Sequence, residues 1–203
     1  RIEGGILGSV VPALTGRVLG ALRMFCSARF LTVGPGLKSG IKLRLDNPAQ
    51  LGAELLCGAV AALEEGPGPL AVISADTAIS IMAVNGKQEL VGGVILPGPQ
   101  LSLSALVQKT AQLPQIDLSA PASSSILGKN TSACLQNGFV LGTAGLLDGL
   151  AERFQAELGP DIRFYATGNL PRTIREACRT PIQYREYLIT DGLYRIWQKN
   201  RKG

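Results

Sequence analysis

The 203-residue sequence contains no histidine. That absence excludes every serine–histidine or cysteine–histidine nucleophile and the usual zinc ligand sets, so a general base must be Asp or Glu. Aromatic residues are only 5%, too few for the stacking platforms that hold single-stranded nucleic acid. No run approaches the roughly 20 unbroken apolar residues of a membrane span; Val10 to Leu22 is interrupted by Arg17, and Leu141 to Leu150 by Asp148. The apolar start lacks the basic region and cleavage pattern of a signal peptide. The four cysteines, Cys26, Cys57, Cys134 and Cys178, form no CxxC pair. They read as free, buried thiols of a cytoplasmic protein.

What the chain does have is 46% hydrophobic residues, 25 glycines and 12 prolines. It can bury a real core and makes many turns. The net charge of +5 resolves by segment: eight basic residues from Arg172 onward face only Glu176, Glu186 and Asp191, and the rest is balanced. A solvated final helix whose cations complement its own carbonyl end accounts for this; a phosphate-tracking surface is the other reading.

Helices are expected at Leu14 to Phe25, from Asp46-Asn47-Pro48 through Leu63, after a cap at Ser102 or Ser104, from Thr131 to Leu158, and over Gly192 to Lys199. Strands are expected at Phe30 to Val33, ending at Lys42 to Leu45, at Leu70 to Ile73, Ile79 to Val84, Gln88 to Leu96 and Arg163 to Ala166. Asn85-Gly86 is a strong hairpin signal, since both central positions of such a turn take positive φ. Alanine and glycine on one side of the helix through Leu55, and Gly138, Gly142 and Gly145 on the long helix, mark faces open to close neighbours. Strands interleaved with helices predict an α/β protein with mixed sheets.

Glycine-rich turns at strand ends suit backbone amides that cradle phosphates. The residues between them are more specific. The string Asp46-Asn47-Pro48 to Glu54 resembles the DNPxxLGAD segment of type III pantothenate kinases, and Val91 to Gly98 their GGxIxPG loop. Leu103 to Leu106 with Thr110 to Pro114 is similar to ALxxxTAxLP, Gly128 to Thr131 to GKNT, and Ser9 to Pro12 to SVVP. The resemblance covers essentially the whole chain in order. It implies the actin-like ATPase (ribonuclease H-like) fold, two similar α/β domains with a boundary after residue 68, and a homodimer that phosphorylates pantothenate with ATP, magnesium and potassium or ammonium. Neither nucleic acid nor a membrane is an expected partner. The amino-terminal DxGNT hairpin of the pattern does not occur among these residues, so the first domain is expected to lack it.

Carried over by position, the resemblance makes Glu54 the general base and puts Leu45, Gly52, Ala53, Leu55 and Thr131 at the substrate. Thr77, Gly92, Gly93, Pro97, Gly98, Thr167 and Gly168 fall at ATP. Ser74 holds the cation position without its carboxylate, and Asp76 is a possible substitute, although a two-residue shift along a strand moves a side chain by about 7 Å. Three motifs depart from the pattern: GADR reads Gly52-Ala53-Glu54-Leu55, DFGT reads Ser74-Ala75-Asp76-Thr77, and the late TGG reads Thr167-Gly168-Asn169. A lengthened base and a lost arginine imply impaired catalysis, or an inactive relative that binds a nucleotide or a partner. Plainer roles also fit: a solvated acid at Glu54, β-forming hydroxyls at Thr77 and Ser80, a turn acid at Asp76 and a helix cap at Thr131.

Overall fold

The computed structural model describes residues 2–122 and 125–201. Eight strands and six helices follow in the order β1 (Gly4–Leu7), α1 (Pro12–Phe25), β2 (Arg29–Thr32), β3 (Lys42–Leu43), α2 (Ala53–Glu64), β4 (Leu70–Ala75), β5 (Ala78–Val84), β6 (Glu89–Pro97), α3 (Pro99–Gln108), α4 (Thr131–Leu158), β7 (Arg163–Gly168), α5 (Arg172–Ala177), β8 (Ile182–Tyr184) and α6 (Leu188–Asn200). β1 and β2 pair in parallel, and the other strands form one sheet in the order β3-β6-β5-β4-β7-β8. β3 lies parallel to β6, and β8 to β7. The short turns joining β4, β5 and β6 allow only antiparallel neighbours, so the sheet is mixed. β4 is buried along its whole length and β5 from Ile79 onward, which is why their sequences are apolar runs rather than alternations.

Two compact units are present: Arg1–Val72 with Met82–Gly92 and Glu186–Gly203, and Ile73–Ile81 with Gly93–Arg185. Neither is one contiguous segment. The reason lies in the first unit, where the last helix α6 returns onto α2. A Cβ at Gly192 would strike the backbone carbonyl of Cys57, and one at Gly58 would sit 3.1 Å from Val72. The small residues of α2 thus do admit a close neighbour.

Several local expectations are corrected. Asp46-Asn47-Pro48 opens a single 3-10 turn, Pro48–Gln50, and α2 begins only at Ala53 after the extended Leu51 and Gly52. The helix after β6 starts at Pro99 with Gly98 as its cap, so Ser102 and Ser104 lie inside it. Asn130, not Thr131, caps α4, its side chain accepting from the Ala133 N–H at 2.9 Å. At the Asn85 turn the positive φ falls on Gln88, and the Asn85 side-chain oxygen accepts from the N–H groups of Lys87 and Glu89. No heavy atom lies within 4 Å of where a Cβ would stand at Gly138, Gly142 or Gly145, so in this chain that face is open. Of the four free cysteines only Cys57 is buried, and Cys134 is exposed. Among the described residues no helix is long and apolar enough to cross a membrane.

The described basic residues near the end of the chain have local partners. Arg172 pairs with Glu176, Arg179 with Asp148 and Glu152, and Arg195 with Glu64. Arg175 lies over the Tyr184 ring and Arg201 over Trp197. Lys199, in the last turn of α6, donates to the Ser39 carbonyl rather than to its own helix end.

Candidate functional site

In the first unit, the turn at Pro48 and the extended Leu51-Gly52 deliver the chain into α2 with Glu54 in its first turn. Glu54 is exposed and lines a cavity of about 170 Å³ with Ser9, Val10, Cys57 and Leu193. The Cys57 thiol is pushed up to about 12, first by burial and then by the Glu54 charge. Leu55 points the other way: it is 9% exposed, with its Cδ1 3.8 Å from the Cβ position of Gly52. A larger cavity of about 720 Å³ opens between the Val33 to Leu37 loop and the 47–53 segment, with Gly52 and Ala53 in its wall. Ala53 borders both cavities. Leu45, half-buried after β3, lines neither.

In the second unit, the turn between β4 and β5 presents Asp76 and Thr77, both exposed. The Asp76 N–H donates to the Ala78 carbonyl at 2.9 Å. Gly98 is locked against this turn: its N–H donates to the Thr77 carbonyl at 2.8 Å, and a Cβ there would overlap the Asp76 carbonyl. Gly168, at φ +81°, meets the Ala75 carbonyl as closely. Close backbone approach therefore requires glycine at both positions, and at Gly168 the positive φ requires it as well. A cavity of about 480 Å³ lies here, walled in part by Asp76, Thr77, Gln100, Ser104, Asp117 and Asn169.

The other expected positions fall around this group or away from it. Ser74 is 9% exposed within the fully buried β4, and Ser80 is likewise buried in β5. Thr77, by contrast, sits in the turn rather than in a strand. Thr167 is buried at the end of β7. Gly92, at φ +140°, has open space where a Cβ would stand, and Gly93 and Pro97 follow it along β6. Thr131 is exposed at the start of α4 and lines none of these cavities. No group of three or more Asp, Glu, Cys or His residues suited to a metal occurs among the described residues.

Sequence reasoning missed two features. One is the bond from the Asn169 side-chain amide to Asp76 at 2.9 Å; both residues depart from the family pattern, but nothing in the sequence shows that residues 93 apart meet. The other is Asp148, 3% exposed on α4, whose carboxylate accepts the N–H groups of Arg179 and Thr180. A lone acid within an apolar helical run was its available signal.

The mixed sheets, their short antiparallel turns and the glycine-lined loops at strand ends define an α/β protein of the actin-like ATPase fold. A conserved Baf family protein from Campylobacter jejuni superposes with a TM-score of 0.63 at 18% identity, covering 100% of this chain and 86% of that one. The type III pantothenate kinase family model matches residues 1–153. A type III pantothenate kinase of Koribacter versatilis is 36% identical over 200 residues, 98% of this chain and 72% of the relative. One from Exiguobacterium is 34% identical over 202 residues, 100% of this chain and 78% of the relative. The chain belongs to the type III pantothenate kinase family.

Proposed function

We propose that this chain carries out ATP-dependent phosphorylation of the pantothenate hydroxyl, giving 4'-phosphopantothenate for coenzyme A synthesis, at a reduced rate. The observation that carries this reading is Glu54: an exposed carboxylate in the first turn of α2, beside a cavity, at the position the family resemblance gives to the base. Glu54 accepts the hydroxyl proton as the oxygen attacks the γ-phosphorus; the bond from that phosphorus to the bridging oxygen breaks, and ADP departs with the electron pair. Thr77 and the close-packed turns at Gly98 and Gly168 support a nucleotide role for the second unit, with magnesium arriving as the ATP complex.

The reduced rate follows from two residues. The extra methylene of Glu54 displaces its carboxylate by about an ångström, a misplacement that can cost about a hundredfold. Leu55, turned into the core, supplies no charge to a reaction that depends on positioning and charge neutralisation. The residues present do not fit the monovalent cation of the resemblance: Ser74 offers a buried hydroxyl, and Asp76 commits one oxygen to Asn169. No step is routed through that ion. A coupled assay with ATP and pantothenate tests the reading, and turnover equal to that of a family member with an intact GADR motif contradicts the impairment.

We further infer a homodimer that uses α4, supported by the open glycine face and the half-exposed Leu146. A second reading, an inactive relative that still binds nucleotide or a partner, is favoured by Leu55. Calorimetric binding of ATP with no turnover at any concentration distinguishes it.

A further inference from the structure

Two of the departures from the family pattern touch each other. Asp76 and Asn169 stand where the pattern has glycine, and the Asn169 side-chain amide donates to Asp76 Oδ1 at 2.9 Å. The backbones behind them are equally close, because the Asn169 N–H donates to the Ala75 carbonyl and Gly168 leaves no room there for a Cβ. The carboxylate is thus held by a partner on a second turn rather than left to swing in solvent. Both side chains line the cavity of about 480 Å³ in the second unit. A second carboxylate, Asp117, joins them; the Ser119 N–H donates to it at 2.8 Å and holds it below the usual carboxylate range. Hydroxyls of Thr77, Ser104 and Ser119 complete the polar wall, and no lysine or arginine among the described residues lines it.

We propose that Asp76, fixed by Asn169, is a specificity-determining residue that weakens this cavity's hold on the phosphates of metal-free ATP relative to its hydroxyl-rich nucleoside part, a further cause of the reduced rate. This rests on the reading above that the second unit is where the chain meets its nucleotide. The cause is electrostatic. Two anionic side chains with no cation among them repel phosphate oxygens, while carboxylates, amides and hydroxyls are good partners for a ribose. A glycine pair at the same places carries no such charge.

The test is equilibrium binding of adenosine and of ATP, each in EDTA and in excess magnesium, to the wild type, Asp76→Asn and Asn169→Gly. Asp76→Asn is isosteric and can still accept from Asn169. It is expected to tighten ATP about tenfold in EDTA while adenosine changes by less than about twofold. Asn169→Gly, which frees the carboxylate, moves ATP in the same direction by less. In the wild type, ATP affinity in EDTA rises with added salt as the repulsion is screened, a readout that needs no variant to fold. Equal changes for both ligands, or wild-type ATP affinity that falls with salt, overturn the proposal and leave the nucleotide reading intact. ATP affinity in magnesium that drops in Asp76→Asn overturns it too, by making Asp76 a metal ligand. If neither adenosine nor ATP binds any form, the nucleotide reading of this unit fails and the proposal falls with it.

Discussion

Asp148 bears a charge in a place where most charges are not tolerated. Burial works against its ionisation, but the N–H groups of Arg179 and Thr180 outweigh this and hold the carboxyl below its ordinary value. A folded-state value below the unfolded one means that the unfolded chain binds more protons as pH falls. The stabilisation is therefore complete above about pH 4 and is lost as pH drops through the folded value. Asp148→Asn is expected to cost about 2 kcal/mol at neutral pH and to flatten the acid limb; urea unfolding across that range checks both. The neighbouring Cys178 thiol is pushed up to about 11 by burial and then by Asp148, and Cys57 to about 12. Neither supplies thiolate at pH 8. Thiol labelling of the folded protein should thus modify exposed Cys134 first and leave Cys57 unmodified until denaturant is added.

At the scale of elements, the contact between α6 and α2 depends on Gly192, whose missing Cβ is what lets the helix reach the Cys57 carbonyl. Gly192→Ala should destabilise by about 2 kcal/mol or more even though alanine is the better helix former. Gly20→Ala on α1, with nothing within 4 Å of its Cβ position, should instead stabilise by about 0.5–1 kcal/mol. Measured together by thermal or chemical unfolding, the pair separates packing from propensity. The same contrast explains what could be read in advance. α4 was legible end to end because a long apolar pattern and a polar cap specify it locally. So were β4 to β6, as apolar or β-branched runs between glycine and proline turns. β1, β8 and α5 were not: they span four, three and six residues, too short for a periodicity to declare itself, and their strands exist through pairing with distant partners. The Asp46-Asn47-Pro48 string carries a good helix-start signal, yet the extended Leu51-Gly52 interrupts it, and only the tertiary structure decides where α2 begins. Motif position nominates the candidate site residues, whereas the Asp76–Asn169 contact is a product of the fold that no local signal announces.

For the whole molecule, the proposed base Glu54 lies in one unit and the turns proposed for the nucleotide, at Thr77, Gly98 and Gly168, lie in the other. Homodimerisation through α4 predicts a sedimentation mass of twice 21.3 kDa, reduced to the single-chain value by Gly142→Arg. The most direct measurement is ATP-dependent formation of 4'-phosphopantothenate by the wild type, Glu54→Gln and Glu54→Asp, assayed side by side. Slow turnover in the wild type, loss in Glu54→Gln and a gain of about tenfold or more in Glu54→Asp is the predicted result, because the shorter arm restores the carboxylate's reach. Turnover in Glu54→Gln equal to that of the wild type would contradict a base at Glu54.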